Sequence, residues 1–212
     1  VKKPQNREGM LAERERMHAR MRQRDFRRFL NIAQLMVFSN NEEYDTDNRV
    51  PIQGAFYASM SKGKLFFNTF REPSPTYYET LPMQSITDER EYEILKQVNK
   101  TVLVSLPEYQ TNKSPLTPTN RVLSSVLSKE RILFFLKYGF AYVERTTKND
   151  KGEEITTLEK HVMRYPQFFA SKAICRNLDK GINSGTIWHT QGSGKTALAY
   201  FATKVLTDYF AN

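Results

Sequence analysis

Apolar residues recur at helical spacing in some stretches of the chain and cluster or alternate in others, and this pattern lays out most of its elements. Residues 9–31 are rich in Arg, Glu, Met and Ala and predict a basic helical stretch. The compact run Gln34-Leu35-Met36-Val37-Phe38 predicts a strand, closed by the polar turn Ser39-Asn40-Asn41. Gly54-Ala55-Phe56-Tyr57-Ala58 and Leu65-Phe66-Phe67 predict a hairpin across Ser61-Lys62-Gly63-Lys64. Pro73, Pro75 and Pro82 then interrupt regular structure. A helix is predicted over 88–99, with Thr87 or Asp88 as its cap. Residues 111–119 carry two prolines and several hydroxyl side chains and predict a loop. Over 121–138, Leu123, Val126, Leu127, Ile132, Phe134, Phe135 and Leu136 predict one amphipathic helix. Residues 140–143 and 154–158 predict strands paired across Lys148-Asn149-Asp150-Lys151-Gly152. The last part predicts a helix over 165–179, a short strand over 185–189 and a helix over 195–210.

These elements group into three segments: 1–72, basic helix with short strands; 73–160, a mostly helical connector; and 161–212, a strand, loop and helix. The apolar fraction, 39%, is enough for a core and sets wholesale disorder aside. The net charge of +9 suits a polyanionic partner, nucleic acid before a membrane surface; a solvated basic surface reads the same charge. Much of the excess lies early, in Lys2, Lys3, Arg7, Arg14, Arg16, Arg20, Arg22, Arg24, Arg27 and Arg28. The single cysteine, Cys175, forms no internal disulfide, fits a reducing cytoplasm, and reads as a small core residue rather than a nucleophile. No apolar run is long enough to span a bilayer, so no membrane partner is expected. No signal peptide is recognised. The chain opens at Val1, not Met, and is expected to begin inside a longer protein.

The strongest chemical signal is His189-Thr190-Gln191-Gly192-Ser193-Gly194-Lys195-Thr196. Following an apolar run and opening a helix, it has the context of a phosphate-binding loop. Glycines let backbone N–H groups close around a polyphosphate. The helix N-terminus adds unpaired donors and a positive dipole end. Gln191, Gly192, Ser193, Gly194, Lys195 and Thr196 are therefore the candidate ATP-binding residues. Lys195 would reach the outer phosphates and the Thr196 hydroxyl would ligate Mg²⁺. His189 stands where the common pattern has Gly, which points away from kinases and small GTPases and toward superfamily 2 helicases and translocases. Upstream, Gln167 in Arg164-Tyr165-Pro166-Gln167 is a candidate adenine reader, since an amide donates and accepts together; a solvated Gln at a helix start is the plainer alternative.

Two segments together resemble one family. Gly185-Thr186-Ile187-Trp188-His189 running into the loop resembles the first helicase motif of type I restriction enzyme R subunits. Val1-Lys2-Lys3-Pro4 resembles the residues just after the nuclease glutamate in those subunits, and Gln34 through Asn41 resembles a later nuclease strand and turn. The resemblance implies an α/β chain comprising the C-terminal part of a PD-(D/E)xK nuclease-like domain (1–72), a helical connector (73–160) and the start of a RecA-like P-loop domain (161–212). It implies Lys2 as the catalytic lysine, with its glutamate and aspartate upstream of Val1, and Lys3 as a flanking base on phosphate. The Gln-x-x-x-Tyr motif of some members is not carried over, because Gln23-Arg24-Asp25-Phe26-Arg27 lacks the tyrosine. Arg24, Arg27 and Arg28 are candidate DNA-backbone contacts; a solvated charged face is the alternative. The implied parent is a cytoplasmic ATP-dependent endonuclease and translocase acting on double-stranded DNA, with ATP and Mg²⁺ as cofactors and methylation and specificity subunits as partners. A fragment lacking the nuclease carboxylates and later motor motifs is expected to be inactive alone. Two other readings stand beside it: a superfamily 2 helicase without nuclease activity, and a non-catalytic basic DNA-binding or assembly module.

Overall fold

The computed structural model describes residues 10–43, 54–61, 64–78 and 86–211. Helices α1 (Met10–Arg22) and α2 (Arg24–Ile32) precede a meander of β1 (Met36–Ser39), β2 (Ala55–Ser61) and β3 (Lys64–Asn68). Four short helices come next: α3 (Asp88–Gln97), α4 (Pro107–Asn112), α5 (Pro118–Ser124) and α6 (Lys129–Tyr138). A long ribbon of β4 (Phe140–Lys148) and β5 (Glu154–Val162) leads into α7 (Tyr165–Asp179) and α8 (Lys195–Ala211). All strand pairings are antiparallel among the described residues, in the orders β1-β2-β3 and β4-β5. The described residues thus form a mixture of helices and two small sheets.

Strand alternation gives β2 two jobs. Ala58 faces α1 and packs with Leu65, Met21 and Met17. Tyr57, on the opposite face and fully buried, enters the main core. Helix α1 is fastened to β3 by His18, whose Nε2 accepts the Leu65 N–H at 2.9 Å. The helical stretch expected over 9–31 is broken at Gln23. The face of α1 that carries Met17 and Met21 would continue with Arg24, Asp25 and Arg28, and a straight helix would press those charges onto the sheet. The break at Gln23 turns the chain before that happens.

The single helix expected over 121–138 is likewise two. A turn through Ser125–Ser128 separates α5 from α6, with Ser128 in the extended conformation that starts a helix. Val126 and Phe135 are both 0% exposed. On one continuous helix they would lie about half a turn apart, on opposite faces. Burying both requires the bend. The loop expected over 111–119 is shorter than predicted, because α4 runs on to Asn112 and Pro118 opens α5. Helix α3 is capped as expected: Thr87 Oγ1 accepts the Arg90 N–H. The turn after β1 places Asn41 at φ 62 and ties the meander to the connector. There Asn41 Nδ2 donates to Asn112 Oδ1 and Asn41 Oδ1 accepts the Thr119 N–H.

One core draws on all three segments of the chain. Tyr57 and Phe70 meet Val122, Val126, Phe135, Phe140 and Ala141, and these meet Val162, Met163, Phe168 and Phe201. Phe135 and Phe168 stack with centroids 5.3 Å apart, and Phe70 and Phe134 meet Phe168 edge-on. Arg131 lies among this group, its guanidinium facing Phe70, Tyr77, Phe168 and Phe169 while both arms grip the Glu72 carboxylate. The Glu72 side chain is 2% exposed and that of Arg131 13%. Removing one partner of such a pair strands a buried charge. We expect Arg131→Ala to lower unfolding free energy by about 3–5 kcal/mol, and the double change Arg131→Met with Glu72→Met to lower it far less. Denaturant unfolding measures both; a loss under about 1 kcal/mol for Arg131→Ala would contradict the pair's assigned role.

Candidate phosphate-loop site

The site is built where α7 and α8 meet. Helix α7 begins at Tyr165, with Pro166 in its first turn, where no backbone donor is needed. Its start is held from the meander side: the Tyr57 hydroxyl donates to Met163 O at 3.0 Å. Burial pushes the Tyr57 phenol well above its usual range, so it remains a donor. Gln167 closes the first turn by accepting the Arg164 N–H on Oε1 at 2.8 Å. The other end of its amide donates from Nε2 to Gly194 O at 3.1 Å. This buried side chain, 2% exposed, therefore reaches from α7 to the loop.

Residues 191–194 form a tight turn, with Gly192 at φ 76 and Gly194 at φ 85. Both are left-handed values that favour glycine. Gly194 O also accepts the Leu198 N–H at 3.0 Å and so starts α8. Lys195 is exposed, its Nζ donating to the carbonyls of His189 and Thr190 at 3.2 Å each. Thr196 is exposed in the first turn of α8. Ser193 Oγ is buried with no hydrogen-bond partner among the described residues. A curled backbone, an ammonium resting on carbonyls, an orphaned hydroxyl and a helix N-terminus make a setting that fits a polyphosphate.

Residues 185–189, expected to form a short strand, have no regular secondary structure. A strand is defined by its ladder, and none of the five described strands pairs with this stretch. Its apolar side chains stay open: Trp188 is 89% exposed, and Ile182 and Ile187 are also exposed. Between this stretch and α7 lies a cavity of about 550 Å³, lined by Phe169, Ile174, Leu178, Ile187 and Trp188 among others. Cys175 sits half-buried on α7; burial, with Asp179 adding to it, pushes its thiol up, so it holds little thiolate at neutral pH.

Other expected site residues lie apart from this loop or outside the described residues. Lys2 and Lys3 lie outside them. Arg24, Arg27 and Arg28 fall on α2, where Arg24 and Arg28 are exposed and make no ion pair among the described residues. No group of three or more His, Cys, Asp or Glu side chains suited to a metal exists among the described residues. No described helix is long and apolar enough to cross a membrane. Sequence reasoning placed Gln167 at this site but missed its grip on Gly194, because the partner is a backbone carbonyl and leaves no side-chain signature.

Residues 166–212, from the start of α7 through α8, match the SWI2/SNF2 ATPase family. The chain is also similar to a protein of Methanocaldococcus jannaschii named as a putative type I restriction enzyme MjaVIIP endonuclease subunit, at 33% identity over 92 residues. That alignment covers 41% of this chain and 8% of the relative, so the chain corresponds to a small part of the relative's length. No solved structure matches it. The match to an ATPase family falls on the helices and loop described above and is consistent with ATP use.

The two loop glycines offer an internal control. A Cβ on Gly192 would meet nothing within 4 Å, whereas one on Gly194 would lie 2.5 Å from Gln167 Nε2. Gly192→Ala should cost only the left-handed backbone penalty, about 1–2 kcal/mol. Gly194→Ala should cost more, since the buried Gln167 amide would have to move and give up its hydrogen bonds to make room. Thermal unfolding of the two variants compares them directly; equal losses would mean that the contact between Gln167 and Gly194 does not constrain the loop.

Proposed function

We propose that this chain is part of the ATP-dependent DNA-translocating and DNA-cleaving subunit of a type I restriction-modification system. The observation that carries the reading is the Gln191–Thr196 loop at the start of α8, inside the stretch similar to SWI2/SNF2 ATPases. The similarity to a named restriction endonuclease subunit supports the restriction context. In this reading residues 1–72 are the end of a nuclease domain, 73–160 a connector and 161–212 the beginning of a RecA-like motor domain. The parent works in the cytoplasm on double-stranded DNA, alongside methylation and specificity subunits.

At the loop, the backbone N–H groups around Gly192 and Gly194 hold the phosphates of ATP, with Gln191 and Ser193 on the same turn and the Ser193 hydroxyl available to them. Lys195 exchanges its two carbonyl partners for the outer phosphate oxygens, a stronger, charge-assisted contact. Thr196 offers its hydroxyl to Mg²⁺, which when bound neutralises phosphate charge. Gln167 belongs to the same ATP site. On α2, Arg24, Arg27 and Arg28 would contact DNA phosphates without reading sequence. At the nuclease end, Lys2 comes two positions after the family's upstream glutamate. On a strand the two would share one face and meet at the scissile phosphate. Lys3, pointing away, would act through DNA affinity.

Two variants of the full-length parent test the reading. Lys195→Ala should reduce DNA-stimulated ATP hydrolysis by about a hundredfold or more and stop translocation. Lys2→Ala should abolish cleavage yet leave ATP hydrolysis intact. Normal hydrolysis by the first variant would sink the motor assignment; normal cleavage by the second would leave a translocase without this nuclease site.

A further inference from the structure

The amide of Gln167 is committed at both ends to the protein's own backbone, and the two bonds do different things. Its Oε1 takes the Arg164 N–H, which finishes the start of α7. Its Nε2 donates to Gly194 O, a carbonyl that also accepts the Leu198 N–H. Gly194 presses so closely on this amide that a Cβ would stand 2.5 Å from Nε2. The next residue of α7, Phe168, is 1% exposed and stacked on Phe135, so the backbone that carries Gln167 is fixed.

The peptide plane turns this bond into a direction. Gly194 C=O and Lys195 N–H belong to one planar trans peptide, and in such a unit the two point opposite ways. Anchoring the carbonyl on Gln167 therefore aims the Lys195 N–H away from α7. That N–H is among the unpaired donors at the start of α8. We infer that Gln167 is a positioning residue for the phosphate loop, one that sets the aim of its backbone donors from behind. The inference rests on the loop being a nucleotide site. It makes the contribution of Gln167 independent of the base: any ligand with a polyphosphate should gain from it equally.

Gln167→Glu separates the two bonds. The carboxylate keeps an acceptor for Arg164 N–H but faces Gly194 O with a second acceptor. Gln167→Met, similar in size, removes both bonds without repulsion and serves as the second variant should the first fail to fold. Binding of Mg²⁺–ATP, Mg²⁺–GTP and Mg²⁺–tripolyphosphate to the full-length protein is measured by titration calorimetry, giving affinity and stoichiometry together. Gln167→Glu should weaken all three by a similar factor, about tenfold, with unchanged stoichiometry, and Gln167→Met should weaken all three by a smaller common factor. A loss confined to ATP would overturn the inference in favour of adenine reading. Unchanged affinities, or a reduced stoichiometry at unchanged affinity, would overturn it in favour of no role or of a merely structural one. A wild-type protein that binds none of the three ligands would instead overturn the nucleotide site itself.

Discussion

Phe168 stacked on Phe135 is the contact on which the arrangement depends. It joins α7 to α6, and the rings of Phe70 and Phe134 close around it. All three segments of the chain contribute residues to this core. Short helices and small sheets of this kind gain most of their stability from such packing rather than from propensity. The buried Arg131–Glu72 pair is tolerable there because its charges satisfy each other and four aromatic faces surround the guanidinium.

The same core sets the chemistry. Gln167 precedes Phe168 on α7, so packing that holds the ring also holds the backbone from which the amide reaches out. Tyr57 reinforces the place where the chain enters α7. From there two hydrogen bonds lead to Gly194 and hence to the first donors of α8. A loop of small residues has little packing of its own; here a neighbour holds it through one carbonyl. Lys195 is exposed and rests on two carbonyls, the partners it would exchange for phosphate in the proposed nucleotide site.

Much of this was readable in the sequence where the signal is local. The β2–β3 and β4–β5 hairpins, the Thr87 cap, and α7 and α8 follow from periodicity and turn chemistry, and the glycine-rich loop stood out by spacing. The errors fall where tertiary packing decides. The bend at Ser125–Ser128 exists so that Val126 and Phe135 both reach the core, which no single-helix pattern reveals. The break at Gln23 keeps Arg24, Asp25 and Arg28 off the sheet. Residues 185–189 have a strand's composition, yet a strand needs a neighbour and none of the described strands lies beside them. Gln167 was singled out for an amide suited to a base; that both its ends bind backbone is visible only in three dimensions.

Native-state amide hydrogen exchange of this chain, monitored as denaturant is raised, tests whether one core supports the loop. The amides of Met163, Phe168 and Leu198, bonded to Gly139 O, Arg164 O and Gly194 O, report on the ribbon, α7 and the loop junction. If the segments share one core, these three and the amides of β2 should converge on a single opening free energy as denaturant rises. If Leu198 or Phe168 instead exchanges through a separate, much less costly opening while β2 stays protected, the loop is not held by the core and the account fails.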